Sequence, residues 1–220
     1  SPISSLVGII ETLQGSASKD PVSQKKFLKI MSEEAARMSR LIDDLLSLSR
    51  VEVTEHVPPD EKIKLPDIVG SAVEILRGIA NKKNMTIRFE EKSELFEILG
   101  DQDELMEVFQ NLIDNGIKYG DENSEIEILI EKVDRVPETD MPGVCISFKN
   151  KGDGIDEEHL PRLTERFYRA DKARSRNTGG TGLGLAIVKH IVSRHRGHLA
   201  IESFPGDTTT VSVFLPLYLK

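Results

Sequence analysis

Residues 179–188 read GGTGLGLAIV, and this stretch decides which fold the sequence predicts. Glycines at positions 179, 180, 182 and 184 run into an apolar segment, residues 183–191, that has helical spacing. Glycine lets the backbone approach a ligand closely, and a helix N-terminus presents unpaired N–H groups and the positive end of its dipole. The stretch therefore predicts a site for an anion such as a polyphosphate. The alternative is a flexible glycine loop before a core helix.

Composition restricts the class of protein before any other motif is considered. The chain has 220 residues, of which 38% are hydrophobic and 30% charged, as in a globular protein of one or two domains. Its formal net charge of −8 argues against nucleic acid as a partner, because neutralising phosphates needs an excess of lysine and arginine. A single cysteine, Cys145, excludes a disulfide framework and a thiolate metal site.

Residues 1–52 predict two amphipathic helices joined by the turn GSASKD at 15–20, with Asp20 as a possible cap before Pro21. One hairpin alone buries too little surface, so we expect two chains to form a four-helix bundle. Packing of the hairpin against the rest of its own chain is the alternative. The predicted apolar stripe consists of Ile3, Leu6, Ile9, Ile10, Leu13, Phe27, Ile30, Met31, Met38, Leu41, Ile42, Leu45 and Leu48.

The remainder of the chain predicts a second domain. Residues 53–66 are polar, contain three prolines and are interpreted as a linker, which leaves residues 67–220 for the domain itself. Helical spacing covers residues 67–83 and 101–119, and residues 156–178 are interpreted as helix and loop. Strands are expected over 85–90, 96–99, 126–133, 144–148, 199–202 and 210–215. Such a mixture predicts an α+β protein whose second domain is a two-layer α/β sandwich with a mainly antiparallel sheet.

A polar helix face lies within residues 111–120, which read NLIDNGIKYG. Asn111, Asn115 and Lys118 are spaced i, i+4 and i+7 and therefore share one side of a helix. Amide oxygens can bind a hard cation without adding charge, and a lysine supplies a positive charge for phosphate. The ring of Tyr119 can lie against a base. The alternative is an ordinary exposed polar face.

Two further segments are weaker when each is taken alone. Residues 150–155 read NKGDGI, a glycine-bearing turn directly after a predicted strand. Residues 165–171 read ERFYRAD, an aromatic pair between arginines that could equally make core contacts.

Taken together, these four segments, in this order and spacing, resemble the N, G1, F and G2 boxes of sensor histidine kinases. Residues 36–52, ARMSRLIDDLLSLSRVE, resemble the second helix of the dimerisation and histidine-phosphotransfer hairpin of that family. The segment LPRLTERFYRAD at 160–171 is similar to phosphate-sensing members of the alpha-proteobacterial kind. The resemblance implies a Bergerat-type fold that binds ATP with Mg²⁺, a homodimer through residues 1–52, and a response-regulator receiver domain that docks near residues 3–13 and the facing second helix.

The resemblance also implies roles for individual residues. Asn115 would bind Mg²⁺, Asn111 would support the metal or phosphate end, Lys118 would meet phosphate, and these three are the candidate catalytic residues. Residues 171–178 would form a mobile lid over the nucleotide. Tyr119 would lie near the adenine, as would Thr209 or, instead of it, Thr210. The other implied nucleotide contacts are Asn150, Gly152, Gly154, Ile155, Phe167, Tyr168, Arg169, Gly180, Thr181, Gly182, Leu183 and Gly184.

Two departures from the family pattern have consequences. Asn150 stands where the family usually has an aspartate that accepts from the adenine amino group, so we expect weaker ATP binding, by about 1 kcal/mol or somewhat more. The family's acceptor histidine precedes a Ser/Thr-Pro step, and Ser1-Pro2 occupies the end of that pattern. We therefore expect a fragment that begins after the acceptor and does not autophosphorylate alone. His159 and His190 are expected to be structural or solvated, and His195 and His198 to be surface groups.

The implied reaction is phosphoryl transfer rather than hydrolysis. Hydrolysing members of the wider fold carry a glutamate four residues before the metal-binding asparagine, and here that position is Asn111, which cannot act as a general base. The γ-phosphoryl group would pass to a histidine and then to a regulator aspartate, as the second domain swings through residues 53–66. Membrane attachment, in a bacterial inner membrane, would come only from segments outside this chain. The alternative is a dimeric nucleotide-binding module without catalysis.

Overall fold

A computed structural model describes residues 2–54, 56–90, 96–170 and 180–218. The first two helices, α1 (Pro2–Gln14) and α2 (Pro21–Thr54), form the predicted hairpin. The predicted cap is confirmed, because the Asp20 carboxylate accepts from the backbone N–H of Val22 at 3.0 Å and from the Ser23 hydroxyl at 2.6 Å. Of the helices that the structure describes, none combines the length and apolarity needed to cross a bilayer.

The apolar side chains of the hairpin have two different environments. Leu48 and Val51, near the end of α2, are buried in the core of the second domain. Much of the predicted stripe is exposed, with Ile3 at 61% and Ile42 at 53%. The C-terminal part of α2 therefore packs against its own chain, while the rest of the hairpin presents apolar surface to solvent.

The second domain is a two-layer sandwich of helices on a sheet, as predicted. Its helices are α3 (Leu65–Lys82), α4 (Gln102–Tyr119) and α5 (Gly184–Arg194). The main sheet has the order β2-β4-β5-β7-β6, in which β2 runs parallel to β4 and the other neighbours are antiparallel. Its strands are β2 (Thr86–Glu90), β4 (Glu125–Val133), β5 (Gly143–Lys151), β6 (His198–Ser203) and β7 (Thr208–Pro216).

The core lies between the helices and one face of this sheet. Alternate residues of β4, namely Ile126, Ile128 and Ile130, are almost fully buried, as period-two alternation requires. On α4, Phe109 stacks on Phe148 of β5 with ring centroids 5.9 Å apart. Asp101 caps α4 by accepting from two backbone N–H groups at 3.0 and 3.1 Å. Helix α4 packs Leu112, Ile113 and Ile117 into the core, while Asn111, Asn115 and Lys118 remain partly exposed on its other side.

Two elements differ from the sequence prediction. A strand, β1 (Glu61–Lys64), lies inside the segment interpreted as a linker and pairs with β3 (Glu97–Gly100) in a separate antiparallel ladder. Ile63 is the one buried side chain of β1, so the sequence offers only a single apolar residue as a sign of this strand. Within 156–178, the described part forms a 3-10 helix, Glu157–Arg162, followed by loop to residue 170.

The expectation for His195 is wrong. The residue is only 4% exposed, because the end of α5 packs on the start of α4. Nδ1 donates to the carbonyl of Ile191 at 2.8 Å, and Nε2 accepts the backbone N–H of Asp101 at 3.0 Å. Burial lowers the pKa of His195, so the ring is a neutral structural group. His198 is half-buried, with its ring centroid 6.2 Å from that of Phe214.

Arg194, the last residue of α5, joins the two parts of the chain. Its Nε donates to the carbonyls of Thr54 and Val57, both at 3.1 Å. Its guanidinium also lies 2.5 Å from the Glu104 carboxylate of α4. The end of α2 and the chain that leaves it are thus held against the second domain.

Candidate functional site

A cleft of about 540 Å³ lies between the polar face of α4, the glycine segment before α5 and the exposed end of the sheet. It contains most of the residues that the sequence singled out. Those that line it are Asn111, Asn115, Lys118, Tyr119, Asn150, Gly154, Ile155, Tyr168, Arg169, Gly180, Thr181, Gly182, Gly184 and Thr209.

Three of the singled-out residues do not line the cleft. Gly152 is buried beneath it, where its backbone N–H donates to Asp207 and its chain bridges Gly120. Phe167 is 55% exposed, and Leu183 is fully buried in the core because its apolar side chain points inward at the start of α5. Gly179 and the expected lid at 171–178 lie outside the described residues.

The residues predicted to share one face of α4 do line the cleft together, and the same face carries one further residue, Asp114, that the sequence did not single out. The Asn111 amide donates to the carbonyl of Glu107 at 3.0 Å, and this bond orients the side chain. Lys118 forms an ion pair with Asp114, one turn earlier, and both side chains are about one-third exposed or less. Asp114 also lines the cleft, and its i, i+4 spacing to Lys118 was the signal that could have identified it.

Lys83, in the loop after α3, holds the end of α4. Its ammonium donates to the carbonyls of Ile117 at 2.7 Å and Lys118 at 3.1 Å. These carbonyls belong to the last turn of a helix, where orphan acceptors and the negative end of the dipole favour a cation. Lys83 therefore stabilises the turn that carries Lys118 and Tyr119, although it does not line the cleft.

The glycine segment before α5 lies between the loop that carries Phe167 and the face of α4 that carries Asn111. Gly182 has φ +77°, and its carbonyl accepts the backbone N–H of Phe167 at 2.9 Å. At Gly184, an added Cβ would lie 2.7 Å from Oδ1 of Asn111, so no other residue fits this approach without a shift. Helix α5 begins here with no side-chain cap, and its first residue, Gly184, lines the cleft.

Arg169 lies beside Gly180 in the wall of the cleft. Its Nη1 donates to the Gly180 carbonyl at 2.8 Å. A Cβ at Gly180 would lie 3.4 Å from the Tyr119 hydroxyl, which places that hydroxyl next to the same glycine. Burial lowers the pKa of Arg169, and the charge of Arg37 on α2 adds to this effect.

The floor of the cleft is formed by the sheet. One row of register partners crosses four strands, and in it Ile126 is followed by three polar residues, Asn150, Thr209 and Ser203. In the next row, Phe148, Val211 and Ile201 add apolar side chains to the lining. Thr209 lies on the cleft face, and Thr210, as its neighbour in a strand, points to the other face.

Helix α2 supplies two lining residues that the motifs did not indicate, Arg40 and Asp44. The Thr181 hydroxyl donates to the Asp44 carboxylate at 2.5 Å. Nearby, Ser47 donates to Glu107 at 2.7 Å, and Arg166 forms an ion pair with Glu52. The hairpin thus forms part of the cleft wall.

Two families match the chain. The one described as histidine kinase-, DNA gyrase B- and HSP90-like ATPase covers residues 100–219. The one described as the His Kinase A (phospho-acceptor) domain covers residues 1–53.

Curated relatives match nearly all of the chain. The Phosphate regulon sensor protein PhoR of Pseudomonas aeruginosa is 35% identical over 209 residues, which are 95% of this chain and 45% of the relative. The Sensor-like histidine kinase SenX3 of Mycolicibacterium smegmatis is 33% identical over 217 residues, 99% of this chain and 54% of the relative. The chain therefore spans about half the length of these relatives.

Solved structures share the fold. The histidine kinase AdeS of Acinetobacter baumannii superposes with a TM-score of 0.74 at 21% identity, covering 100% of this chain and 96% of that one. Full-length ShkA, solved in complex with AMPPNP, gives a TM-score of 0.72 at 20% identity, covering 90% of this chain and 39% of that one. At this level of identity the likeness concerns the arrangement of helices and strands.

Proposed function

Because its two matched domains make the chain a member of the sensor histidine kinases, we propose that it binds ATP with Mg²⁺ in the cleft and transfers the γ-phosphoryl group to a histidine. A response-regulator aspartate would then receive the group. One observation carries the proposal: the amide face of α4, Lys118 and the N-terminus of α5 meet around a single cleft.

The residues at this end of the cleft suit a triphosphate with its cation. The amide oxygens of Asn111 and Asn115 are hard, neutral ligands, and Asn115 would hold Mg²⁺ with Asn111 beside it. Bound Mg²⁺ would neutralise charge on the transferring phosphate. Lys118 and the backbone N–H groups of the glycine segment would bind the remaining phosphate oxygens.

Glu107 supports transfer over hydrolysis. It is the carboxylate nearest in sequence before Asn111 on α4, but its side chain accepts from Ser47 of α2 and does not line the cleft. Asn111 does line the cleft, but its amide cannot take a proton from water. An imidazole acceptor needs positioning and charge stabilisation more than a base, because it is already a nucleophile.

The hairpin supports the proposed homodimer. Large apolar side chains of α1 and α2 are exposed in the single chain, and among them Leu46 is 57% and Leu28 58% accessible. A second hairpin would cover them in a four-helix bundle, with the regulator docking near residues 3–13. The division into a hairpin at 1–52, a connector at 53–66 and an ATP-binding domain at 67–220 is part of this proposal.

The experiment supplies an acceptor, because none of the five histidines of the sequence lies in α1 or α2. A chain with His-Glu-Leu-Arg added before Ser1 is incubated with γ-labelled ATP and Mg²⁺. We expect acid-labile label on the added histidine, no label when that histidine is replaced by glutamine, and none in Asn115→Ala. Rapid ATP turnover by the pure chain, with no label on protein, would overturn the proposal.

The second candidate is a dimeric nucleotide-binding module without catalysis. It is favoured by Asn150, which gives the cleft an amide where the family pattern has a carboxylate. In the same experiment this candidate predicts bound nucleotide and no label on the added histidine.

We propose phosphate availability as the signal to which the full protein responds. The segment at 160–171 and the 35% identity to the Pseudomonas aeruginosa phosphate regulon sensor support this proposal. In the source organism, removal of the gene should abolish induction of secreted phosphatase under phosphate limitation. Unchanged induction would contradict it.

A further inference from the structure

The two ends of the cleft differ in chemistry. One end has Lys118 and the start of α5, which suit phosphates. The other end is floored by Ile126, Phe148 and Val211, which suit a flat aromatic base. Among these apolar side chains lie Asn150 and Thr209, which are register partners on adjacent strands. Recognition of the edge of a base therefore depends on an amide and a hydroxyl.

The Asn150 amide is free to turn over. No residue that the structure describes forms a hydrogen bond with its side chain. A carboxylate at this position could only accept, and would pair with the 6-amino group of adenine but repel a 6-oxo group. An amide presents an acceptor and a donor side by side, and a half-turn exchanges them. One orientation matches the amino group and N1 of a 6-aminopurine, and the other matches the oxo group and N1–H of a 6-oxopurine.

The neighbouring hydroxyls adapt in the same way. Thr209 Oγ1 lies 2.6 Å from Ser203 Oγ, and either oxygen can be the donor. Ser203 Oγ also accepts the backbone N–H of Ile155 at 2.9 Å, and its proton can go either to Thr209 or to the carbonyl of Thr208 at 3.3 Å. If Ser203 donates to Thr209, the Thr209 proton is available to the base; if Thr209 donates, its oxygen can still accept. The remaining carboxylates at this end, Asp153 and Asp156, lie at the exposed rim.

We propose that this cleft accepts 6-oxopurine nucleoside triphosphates, of the inosine and guanosine type, alongside ATP, and that Asn150 is the residue responsible. The proposal rests on the proposed nucleotide-binding function of the same cleft. It adds that base discrimination is weak and that one side chain sets it.

The test compares ATP with ITP, since these differ only at the 6-position and the N1 proton. Dissociation constants are measured on the full chain with Mg²⁺, by displacement of a fluorescent ATP analogue. For the unaltered chain we expect the two constants to agree within about fivefold. In Asn150→Asp, a charge-assisted bond should tighten ATP while the 6-oxo group is repelled, so that the ratio of the ITP constant to the ATP constant rises at least tenfold.

Two further variants complete the design. Asn150→Ala removes both the donor and the acceptor, and should weaken both nucleotides while leaving their ratio near that of the unaltered chain. Asn81→Asp adds the same charge on the exposed surface at the end of α3, outside the cleft, and should change neither constant.

The outcomes distinguish failure of the 6-oxopurine proposal from failure of the proposed nucleotide-binding function. If the unaltered chain binds ATP but rejects ITP by more than about fiftyfold, the 6-oxopurine proposal fails and the proposed function stands. If the ratio of the ITP to the ATP dissociation constant is the same in Asn150→Asp and in the unaltered chain, Asn150 does not set base discrimination. If neither nucleotide displaces the analogue at millimolar concentration, the proposed function itself fails, and this proposal with it.

Discussion

The hydroxyl of Thr181 donates a 2.5 Å hydrogen bond to the carboxylate of Asp44, which joins the glycine segment of the cleft to helix α2. Both residues line the cleft, so a negative charge from the hairpin lies in the wall where the phosphates are proposed to bind. We therefore expect nucleotide binding to depend on the position of α2.

Replacing Asp44 by asparagine should tighten ATP binding about threefold to tenfold, because the change removes like-charge repulsion near the triphosphate. The measurement is an ATP titration at low and high salt, and the gain should shrink as salt screens the charge. Asp43→Asn, at the exposed neighbouring position outside the cleft, is the matched control. An equal gain in both variants would show that only net charge matters.

Replacing Gly184 by alanine should weaken nucleotide binding by more than tenfold, since the new Cβ would lie 2.7 Å from Asn111 Oδ1 and must displace that amide. Overpacking of this kind costs about 1–3 kcal/mol. Gly78→Ala is the control, because nothing lies within 4 Å of a Cβ added at this exposed position of α3, and it should stabilise the fold by up to about 1 kcal/mol. Full ATP affinity in Gly184→Ala would contradict the contact.

Replacing Lys83 by methionine should lower the free energy of unfolding by about 1–2 kcal/mol, because two carbonyls at the end of α4 lose their donor. Urea denaturation measures this change. Lys82→Met, the exposed neighbour, should have a much smaller effect. Amide exchange at residues 117–119 should rise in Lys83→Met alone, and unaltered exchange there would argue against a capping role.

Acidification below about pH 6.5 should destabilise the protein through His195, since burial lowers the pKa of this ring in the folded state. The unfolded chain then binds the proton more readily, so the stability contributed by neutral His195 is present above the unfolded pKa and is lost as pH falls through it. Glu104, whose pKa is raised by burial, contributes with the opposite sign. Asp101 and Arg194 also interact with the ring.

The measurement is the urea midpoint between pH 7.5 and 5.5, for the unaltered chain and for His195→Asn. The difference between the two curves isolates the histidine from Glu104. The variant should be less stable at pH 7.5, and its stability should fall less on acidification. Parallel curves would mean that His195 does not titrate differently in the folded state.

Replacing Ile42 by lysine should weaken the proposed homodimer by at least tenfold in dissociation constant, because a charge would enter the core of the four-helix bundle. Ile42 is 53% exposed on α2 of the single chain. Ile75→Lys is the control, since Ile75 is 58% exposed but lies on α3 of the second domain. Sedimentation equilibrium distinguishes the two, and a monomer at all concentrations in the unaltered chain would contradict the dimer.

Local periodicity accounts for the parts of the fold that the sequence predicted. The helical spacing of 3.6 residues places Asn111, Asn115 and Lys118 on one face whatever surrounds them. Alternation along β4 likewise defines the buried set from Ile126 to Ile130. The polar spacing on α4 and the glycine positions before α5 thus indicated two of the segments that line the cleft.

The features that were missed depend on contacts between distant segments. Strand β1 has one buried residue, Ile63, and forms only because β3 lies beside it. His195 is buried by the start of α4, almost a hundred residues earlier in the chain, so its spacing near a helix end carried no sign of this. Arg40 and Asp44 enter the cleft through the docking of α2, and no local pattern encodes that docking.

The hydrogen bonds of Arg194 to the carbonyls of Thr54 and Val57 shorten the tether between the two parts of the chain. Because β1 pairs with β3 from Glu61 onward, only residues 58–60 are left as a hinge between the two parts of the chain, and two of these are proline. Proline fixes its own backbone dihedral φ, so this short hinge bends less freely than a flexible linker of the same length. A wide movement of the second domain must therefore break the Arg194 bonds together with the contacts of Asp44, Ser47 and Glu52, so the hinge opens only when this whole set of contacts is lost.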